Sequence, residues 1–306
     1  MKWLVMAALL LLQPPVPADD SLAIRLPDET VRLTRGEFAL AGTGFVDPAK
    51  LERLEQGLAK KLDVPARNAR FVRGRAIEPE QPGRRLDRRG FEAQFYDYFY
   101  GAGPAVIEPR MMPVMPRVDA EVLENASEQL IGRYATYYNS ANKNRSHNIA
   151  LAAAAVDSTV VFPGETFSFN RTVGKRTTAR GYREAPVIVR GELSEGIGGG
   201  ICQVSSTLYN AADNAGMQIV ERYSHSRDVS YVPAGRDATV SWYGPDFAFR
   251  NPFRYPVLIR AHASHGTMAV TIYSSAELRH KPRDVRGMEP KPAEEVPENG
   301  RNGGNG

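Results

Sequence analysis

Apolar positions recur along the chain with two periods, and the switches between them outline its elements. The alternating runs "LAIRL" and "TVRLT", joined at Pro27-Asp28-Glu29, predict two short strands. In "DPAKLERLEQGLAKKLD" the period becomes helical. Leu51, Leu54, Leu58 and Leu62 share one face, with Asp47 at the N-cap and Pro48 at the first helical position. "RFVRGRAIEP" reads as strand and turn, and "DRRGFEAQFYDYFYG" as a second amphipathic helix. Its aromatics Phe91, Phe95, Tyr98 and Phe99 have the spacing of a core stripe rather than of a sugar-stacking platform. Pro104–Pro116 reads as a short strand followed by a proline-rich linker, which places a domain boundary near residue 118.

The second half opens with a helical stretch from Asp119 to Ile131. An alanine-rich helix ends at Val156, strands follow around Val160 and Phe167, and "APVIVR" is a strand leading into a glycine loop and a further helix. Beyond that helix the pattern is β: "MQIVERY", "DATVSWY", "FAFRN", "PVLIRAHAS" and "MAVTIYS", the last two linked by Ser264-His265-Gly266. From His280 to residue 306 the composition turns to proline, glycine and balanced charge, which predicts a disordered tail. The class is α+β in two domains: residues 19–118, and a β-rich domain at 119–279 that carries the glycine loop.

Composition narrows the function. With 42% hydrophobic and 24% charged residues the chain has a globular profile. A net charge of +4 from 39 basic and 35 acidic residues, with no basic run interleaved with aromatics, argues against a nucleic-acid partner. It is compatible with attraction to an anionic polymer such as cell wall. "MKWLVMAALLLLQPPVPADD" combines Lys2, an apolar run from Trp3 to Leu12 and a small residue at Ala18, which reads as a secretory signal over residues 1–18. The run is half of the ~20 residues that span a bilayer, so no membrane span is expected once the signal is removed. The mature chain is expected outside the cytoplasm, in periplasm or cell wall.

Export sharpens the meaning of the one cysteine in the chain, Cys202 in "GGGICQVSSTLYN". Exported chains use cysteine for stability in pairs, and an unpaired thiol there is either a small packed hydrophobe or a reactive group. Val204, Leu208, Ala211, Ala212 and Ala215 form the apolar stripe of the helix, with Gly216 at its C-terminal cap. Cys202 falls off that stripe, in line with Ser206, Tyr209 and Asp213. The first turn of a helix supplies unpaired N–H groups and the positive end of the macrodipole, both of which favour a thiolate. Gly198, Gly199 and Gly200 allow close approach of a substrate and aim N–H groups at a developing oxyanion. No Lys-Ser/Thr follows the glycines, so a nucleotide phosphate site is not expected.

A thiolate nucleophile needs a base, and there are five histidines: His147, His225, His262, His265 and His280. His225 stands in a polar loop after a strand and is preferred; His147, at the start of the alanine-rich helix, is the other candidate. Asp228, Asp237 and Asp246 are near enough in sequence to orient an imidazole. Histidine spacing suits no metal site, there is no GxSxG elbow, and no cofactor is expected.

Six motifs, "FPGETFSFNRTVG", "GYREAPVIVRGE", "GGGICQVSSTLYNAA", "VERYSHS", "YVPAGRDATV" and "FRNP", resemble in order and distance those of the VanW family, named for an accessory protein of some vancomycin-resistance clusters. The resemblance covers about 132–273, with "VSSTLYN" where the family mostly has "VSTTLYN". Residues 38–117 resemble the peptidoglycan-binding module that often precedes the VanW domain. The resemblance implies a wall protein acting on peptidoglycan stem peptides. Some family members are L,D-transpeptidases, which would make Cys202 the nucleophile and His225 the proton shuttle. Gly198, Gly199, Gly200, Gln203, Ser205, Tyr209 and Asp237 then form the expected oxyanion and substrate-binding set. The alternative is a non-catalytic peptidoglycan-binding or assembly protein in which Cys202 is packed.

Overall fold

The computed structural model describes residues 20–72, 76–189, 192–226 and 228–289. The signal reading at residues 1–18 lies outside them, as does the end of the chain from Pro290. The chain divides into two compact units, residues up to Arg67 with Gln81–Pro116, and Asn68–Glu80 with Arg117 onward.

In the first unit, β1 (Ser21–Arg25) pairs antiparallel with β2 (Thr30–Thr34), as the alternation predicts. A single turn, α1 (Arg35–Phe38), leads to α2 (Pro48–Leu62), whose N-cap Asp47 accepts from the amides of Ala49 and Lys50. The β3 (Arg70–Val72) and β4 (Ala76–Glu78) hairpin belongs to the second unit. The first unit resumes with β5 (Gly83–Leu86), α3 (Arg88–Tyr100), β6 (Ala105–Ile107) and β7 (Met111–Val114). β6 adds parallel to β1, and β7 pairs with β5, so the proline-rich stretch is a strand and not a linker. Pro113 is tolerated because it sits in a two-stranded ribbon, where one side of each strand needs no ladder partner. Phe91, Phe95, Tyr98 and Phe99 are buried with Leu51, Leu58 and Leu62 in one core.

The second unit opens with a shorter helix than the pattern predicts. α4 (Ala120–Asn125) ends in a turn at Ser127, and β8 (Gln129–Tyr137) takes over because its backbone pairs along its length with β16 (Thr267–Ser274). In order follow α5 (Lys143–Val156), β9 (Thr159–Val161), β10 (Thr166–Ser168), α6 (Phe169–Val173), a 3₁₀ turn (Thr178–Arg180), β11 (Glu184–Val189), β12 (Glu192–Ile197) and α7 (Ile201–Asn214). β13 (Gln218–Glu221), β14 (Ala248–Arg250) and β15 (Val257–Ser264) complete the unit.

The main sheet is antiparallel in the order β8-β16-β15-β9. Alternation along β15 sends Val257, Ile259 and Ala261 into the large core shared with α5 and α7, and Leu258 into a second cluster with Phe71 and Leu123. The sheet is therefore covered on both faces. α7 lies against β8 and β16, and Val204 and Leu208 are fully buried there. Each such side chain contributes about 1.5–3 kcal/mol on leaving water. Gly132 in β8 permits this approach: a Cβ there would stand 2.5 Å from that of Ala215.

Two further departures matter for the site. "DATVSWY" forms no ladder, because its backbone bonds to a side chain of α7 and to loop carbonyls instead. Ala238 donates to Ser206 Oγ at 2.8 Å, and Thr239 N–H donates to the Tyr223 carbonyl at 2.8 Å. Residues 280–286, read from composition as tail, are held to this unit by Arg283 N–H on the Asn214 carbonyl (2.8 Å) and by Tyr134 Oη on the Arg286 carbonyl (2.9 Å). No helix among the described residues is long and apolar enough to cross a membrane.

Candidate active site

The helix that carries the cysteine starts from a loop only glycine can make. Gly198 and Gly200 have φ of +92° and +101°. At Gly199 a Cβ would meet the Pro186 carbonyl oxygen at 2.5 Å, so the loop runs directly against β11. Fully buried Asn148 on α5 fixes that arrangement. Its Nδ2 donates to the carbonyls of Arg183 (2.9 Å) and Gly199 (3.1 Å), and its Oδ1 accepts from the Arg183 amide (2.8 Å).

Cys202 is the second residue of α7, in the turn whose N–H groups have no partner within the helix. Its Sγ is 3.7 Å from Thr239 Oγ1 and 3.7 Å from the Val240 carbonyl oxygen, and the His225 ring hydrogen-bonds it. Asp237 Oδ2 lies 2.7 Å from His225 Nδ1 and accepts the His225 backbone N–H at 2.6 Å. The two side chains are 7% and 8% exposed, so water does not compete for the contact. With Nδ1 engaged by the carboxylate, Nε2 is the ring nitrogen left for sulfur. Cysteine, imidazole and carboxylate are thus successive partners, the arrangement of an activated nucleophile with an oriented base.

The electrostatics agree with the geometry. Burial pushes the Cys202 thiol up, but the hydrogen bond and charge of His225, helped by the Val240 backbone and the Thr239 hydroxyl, bring it net below the ordinary thiol range. Burial likewise pushes His225 down, and Cys202 followed by Asp237 raises it above the usual imidazole value. For Asp237, burial is outweighed by the backbone and ring of His225, which hold the carboxyl below its usual range. Both shifts run toward a thiolate–imidazolium pair.

A cavity of about 390 Å³ opens over the thiol. Gly198, Gly200, Cys202, Gln203 and His225 of the expected set line it, with Arg145, Lys175, Arg176, Tyr231 and Trp242 among the others. Gln203 is buried and fully engaged: Oε1 accepts from Arg145 Nη2 (2.7 Å), and Nε2 donates to Thr136 Oγ1 (3.0 Å) and the Tyr137 carbonyl (3.0 Å). Gly198 N–H donates to the Arg183 carbonyl at 3.0 Å, which removes it from any oxyanion hole.

Four expected positions are not on the cavity wall. Gly199 faces β11. Asp237 stands behind His225, where it orients the ring instead of meeting substrate. Ser205 is fully buried one turn further along α7. Tyr209, about 10 Å along the helix axis, has its ring between the guanidinium groups of Arg222 (4.9 Å) and Arg236 (4.8 Å). The face of α7 that carries Cys202 is also not a solvent face. Ser206 is fully buried and Tyr209 nearly so, because the 231–240 segment covers them.

The other candidate partners lie elsewhere. His147 Nε2 is 2.9 Å from the Gly181 carbonyl. Asp228 is exposed, and Asp246 accepts from Ser168 Oγ (2.5 Å) and the Asn170 amide (2.8 Å). Among the described residues no group of three His, Cys, Asp or Glu side chains is placed to hold a metal ion. Sequence reasoning missed Arg145, Arg176, Tyr231 and Thr239. The last two lie inside the quoted "YVPAGRDATV", so proximity to that motif was the available signal; for the arginines there was none.

Residues 144–273 match the model described as VanW like protein, a span that holds Cys202, His225 and Asp237. The uncharacterised protein YoaR of Bacillus subtilis is 48% identical over 297 residues, covering 96% of this chain and 97% of that protein. The vancomycin B-type resistance protein VanW of Enterococcus faecalis is 32% identical over 114 residues, 36% of this chain and 42% of that protein. No solved structure matches. The chain belongs to the VanW family.

Proposed function

We propose that this is an exported cell-wall protein whose second unit is a cysteine acyltransferase of the L,D-transpeptidase kind, acting on peptidoglycan stem peptides. The observation that carries the reading is the Cys202–His225 pair on the wall of a cavity, with Asp237 behind the imidazole. The printed name of the E. faecalis relative, a vancomycin resistance protein, supports a role connected with the cell wall.

In this mechanism Cys202 Sγ attacks the carbonyl carbon of the third stem residue. The N–H groups of Gly200 and Cys202 at the start of α7 stabilise the oxyanion, and His225 Nε2–H hands its proton to the departing amine. The C–N bond breaks, the terminal D-amino acid leaves, and a thioester remains. An amine on a neighbouring stem then loses its proton to His225 and attacks the thioester carbonyl. A new C–N bond forms, the C–S bond breaks and the thiolate returns. Asp237 keeps the proton on Nδ1 and stabilises the imidazolium throughout. Residues 19–118 serve, in the same proposal, as the module that holds the protein on the wall.

The test is product analysis after incubating the purified chain with tetrapeptide-stem muropeptides. Release of the terminal D-amino acid with a cross-linked or hydrolysed product, lost in Cys202→Ala, supports the acyltransferase. One observation favours the other reading: Cys202 also packs against the large core. Retention on wall material with no turnover would make the protein a binding or accessory factor with a packed cysteine.

A further inference from the structure

The cavity wall is cationic. Arg145, Lys175 and Arg176 line it, and among the described residues no aspartate or glutamate does. The Asp237 carboxylate is used by His225. An apolar ligand gives Lys175 and Arg176 no charge to pair with; a ligand that carries a carboxylate does.

Arg176 is the best built of the three. It follows α6, and its Nη1 donates to Asn170 Oδ1 at 2.7 Å. Asn170 is itself clamped, donating from Nδ2 to the carbonyls of Ser241 (2.9 Å) and Pro245 (3.1 Å) and from its amide to Asp246 Oδ1 (2.8 Å). The guanidinium stands over the Phe169 ring, 5.6 Å from its centroid. Gly198 makes room for the stem, since a Cβ there would lie 3.2 Å and 3.3 Å from Arg176 Cβ and Cγ. The side chain is therefore held rigidly beside the glycine loop, where burial weighs against its charge and Cys202 offsets part of that cost. Yet its Nη2 is buried without a hydrogen-bond partner. A buried donor left unpaired costs free energy, more so when charged, and proteins that keep one generally have a use for it.

We propose that Arg176 receives a carboxylate of the acyl donor, so that the site selects substrates bearing an anionic group close to the carbonyl that Cys202 attacks. The inference rests on reading Cys202 as the nucleophile. Arg176 thereby fixes which carbonyl of a repetitive peptide meets the sulfur, a specificity that the triad alone does not supply.

The single cysteine permits a direct test on the full chain. Iodoacetate and iodoacetamide both alkylate a thiolate: sulfur attacks the methylene carbon, an S–C bond forms, the C–I bond breaks and iodide leaves. They differ in that only iodoacetate carries a carboxylate. The ratio of their rates at pH 7, referred to the same ratio for glutathione, cancels the thiol's own nucleophilicity. A charge-assisted contact predicts a native ratio about tenfold above glutathione's. Arg176→Gln lowers the ratio severalfold while iodoacetamide still reacts, with Arg145, Lys175 and His225 keeping a remainder, and Arg176→Lys keeps more of the preference. A native ratio equal to glutathione's, a measurement that needs no variant, overturns the inference while leaving the nucleophile in place. An unchanged ratio in Arg176→Gln overturns it too. If neither reagent modifies the native protein, the nucleophile reading fails and the inference falls with it. Muropeptides amidated at the terminal or at a side-chain carboxylate identify the group bound. Amidation at the bound carboxylate slows acylation of the native chain and not of Arg176→Gln; no effect at any carboxylate contradicts the assignment.

Discussion

Replacing His225 with alanine isolates what holds the thiolate. In the native protein burial raises the Cys202 thiol, and His225 is the largest influence in the other direction. Removing the ring leaves the burial and takes away the imidazolium, so the direction of the shift reverses. A thiol at the ordinary value of ~8.5 is only about 3% ionised at pH 7, and burial lowers that fraction further. Iodoacetamide alkylation of His225→Ala at pH 7 therefore falls at least about thirtyfold from a fully formed thiolate. The pH profile changes shape as well. The native rate holds steady as pH falls below the ordinary thiol range and drops only when the thiolate–imidazolium pair takes up a proton. In the variant the rate climbs about tenfold per pH unit through neutrality and recovers in alkali. The assay is the alkylation rate of the one cysteine between pH 5 and 10, followed by intact mass. Equal rates and superimposable profiles for the two proteins would refute the reasoning, since they would mean that His225 does not set the ionisation of Cys202.

Other expectations follow from the same contacts. Asp237→Asn keeps the size of the side chain but removes the charge that holds the Nδ1 proton at 2.7 Å; turnover of muropeptides falls about 10²–10⁴-fold, and circular dichroism should show the fold intact. Asn148→Ala strips three hydrogen bonds from Arg183 and Gly199; it costs about 1–3 kcal/mol in denaturant unfolding and slows Cys202 alkylation as the glycine loop loosens. In the first unit, Glu55 is 4% exposed with Oε1 unpartnered, and burial and then Glu92 push its carboxyl up to about 7. A carboxyl raised in the folded state holds its proton where the unfolded chain has lost it, so stability falls as pH rises from 4.5 through 7. Glu55→Gln removes that dependence and stabilises the protein by on the order of 1–3 kcal/mol above pH 7, read as a higher thermal midpoint at pH 8 and little change at pH 4.

Much of the site is legible because its signals are local. Off-stripe Cys202, the Gly198–Gly200 run and the Gly216 cap all lie within one helix and its flanks, where spacing alone carries the geometry. His225 is legible as a polar loop residue after β13. Asp237 is legible only as one of three nearby acids, since what singles it out is the fold of the 228–240 loop back onto His225. Arg145 and Arg176 are not legible at all: α5 and the turn after α6 reach the thiol only through tertiary packing. Elsewhere the alternation in "DATVSWY" and the helical spacing at 126–131 misled for one reason. Backbone partners decide these segments, and those partners, Ser206 and Tyr223 in one case and β16 in the other, are distant in sequence.

The central claim is that Cys202 carries the acyl group. Intact mass of the purified chain after brief incubation with a tetrapeptide-stem muropeptide tests it most directly. The account predicts an adduct equal to the stem acyl group less the terminal D-amino acid, located on Cys202 and absent from Cys202→Ala. It also predicts accumulation of that adduct when no acceptor amine is supplied and its decay when one is. An unmodified mass with every stem offered, from a protein that still binds the wall, would contradict it.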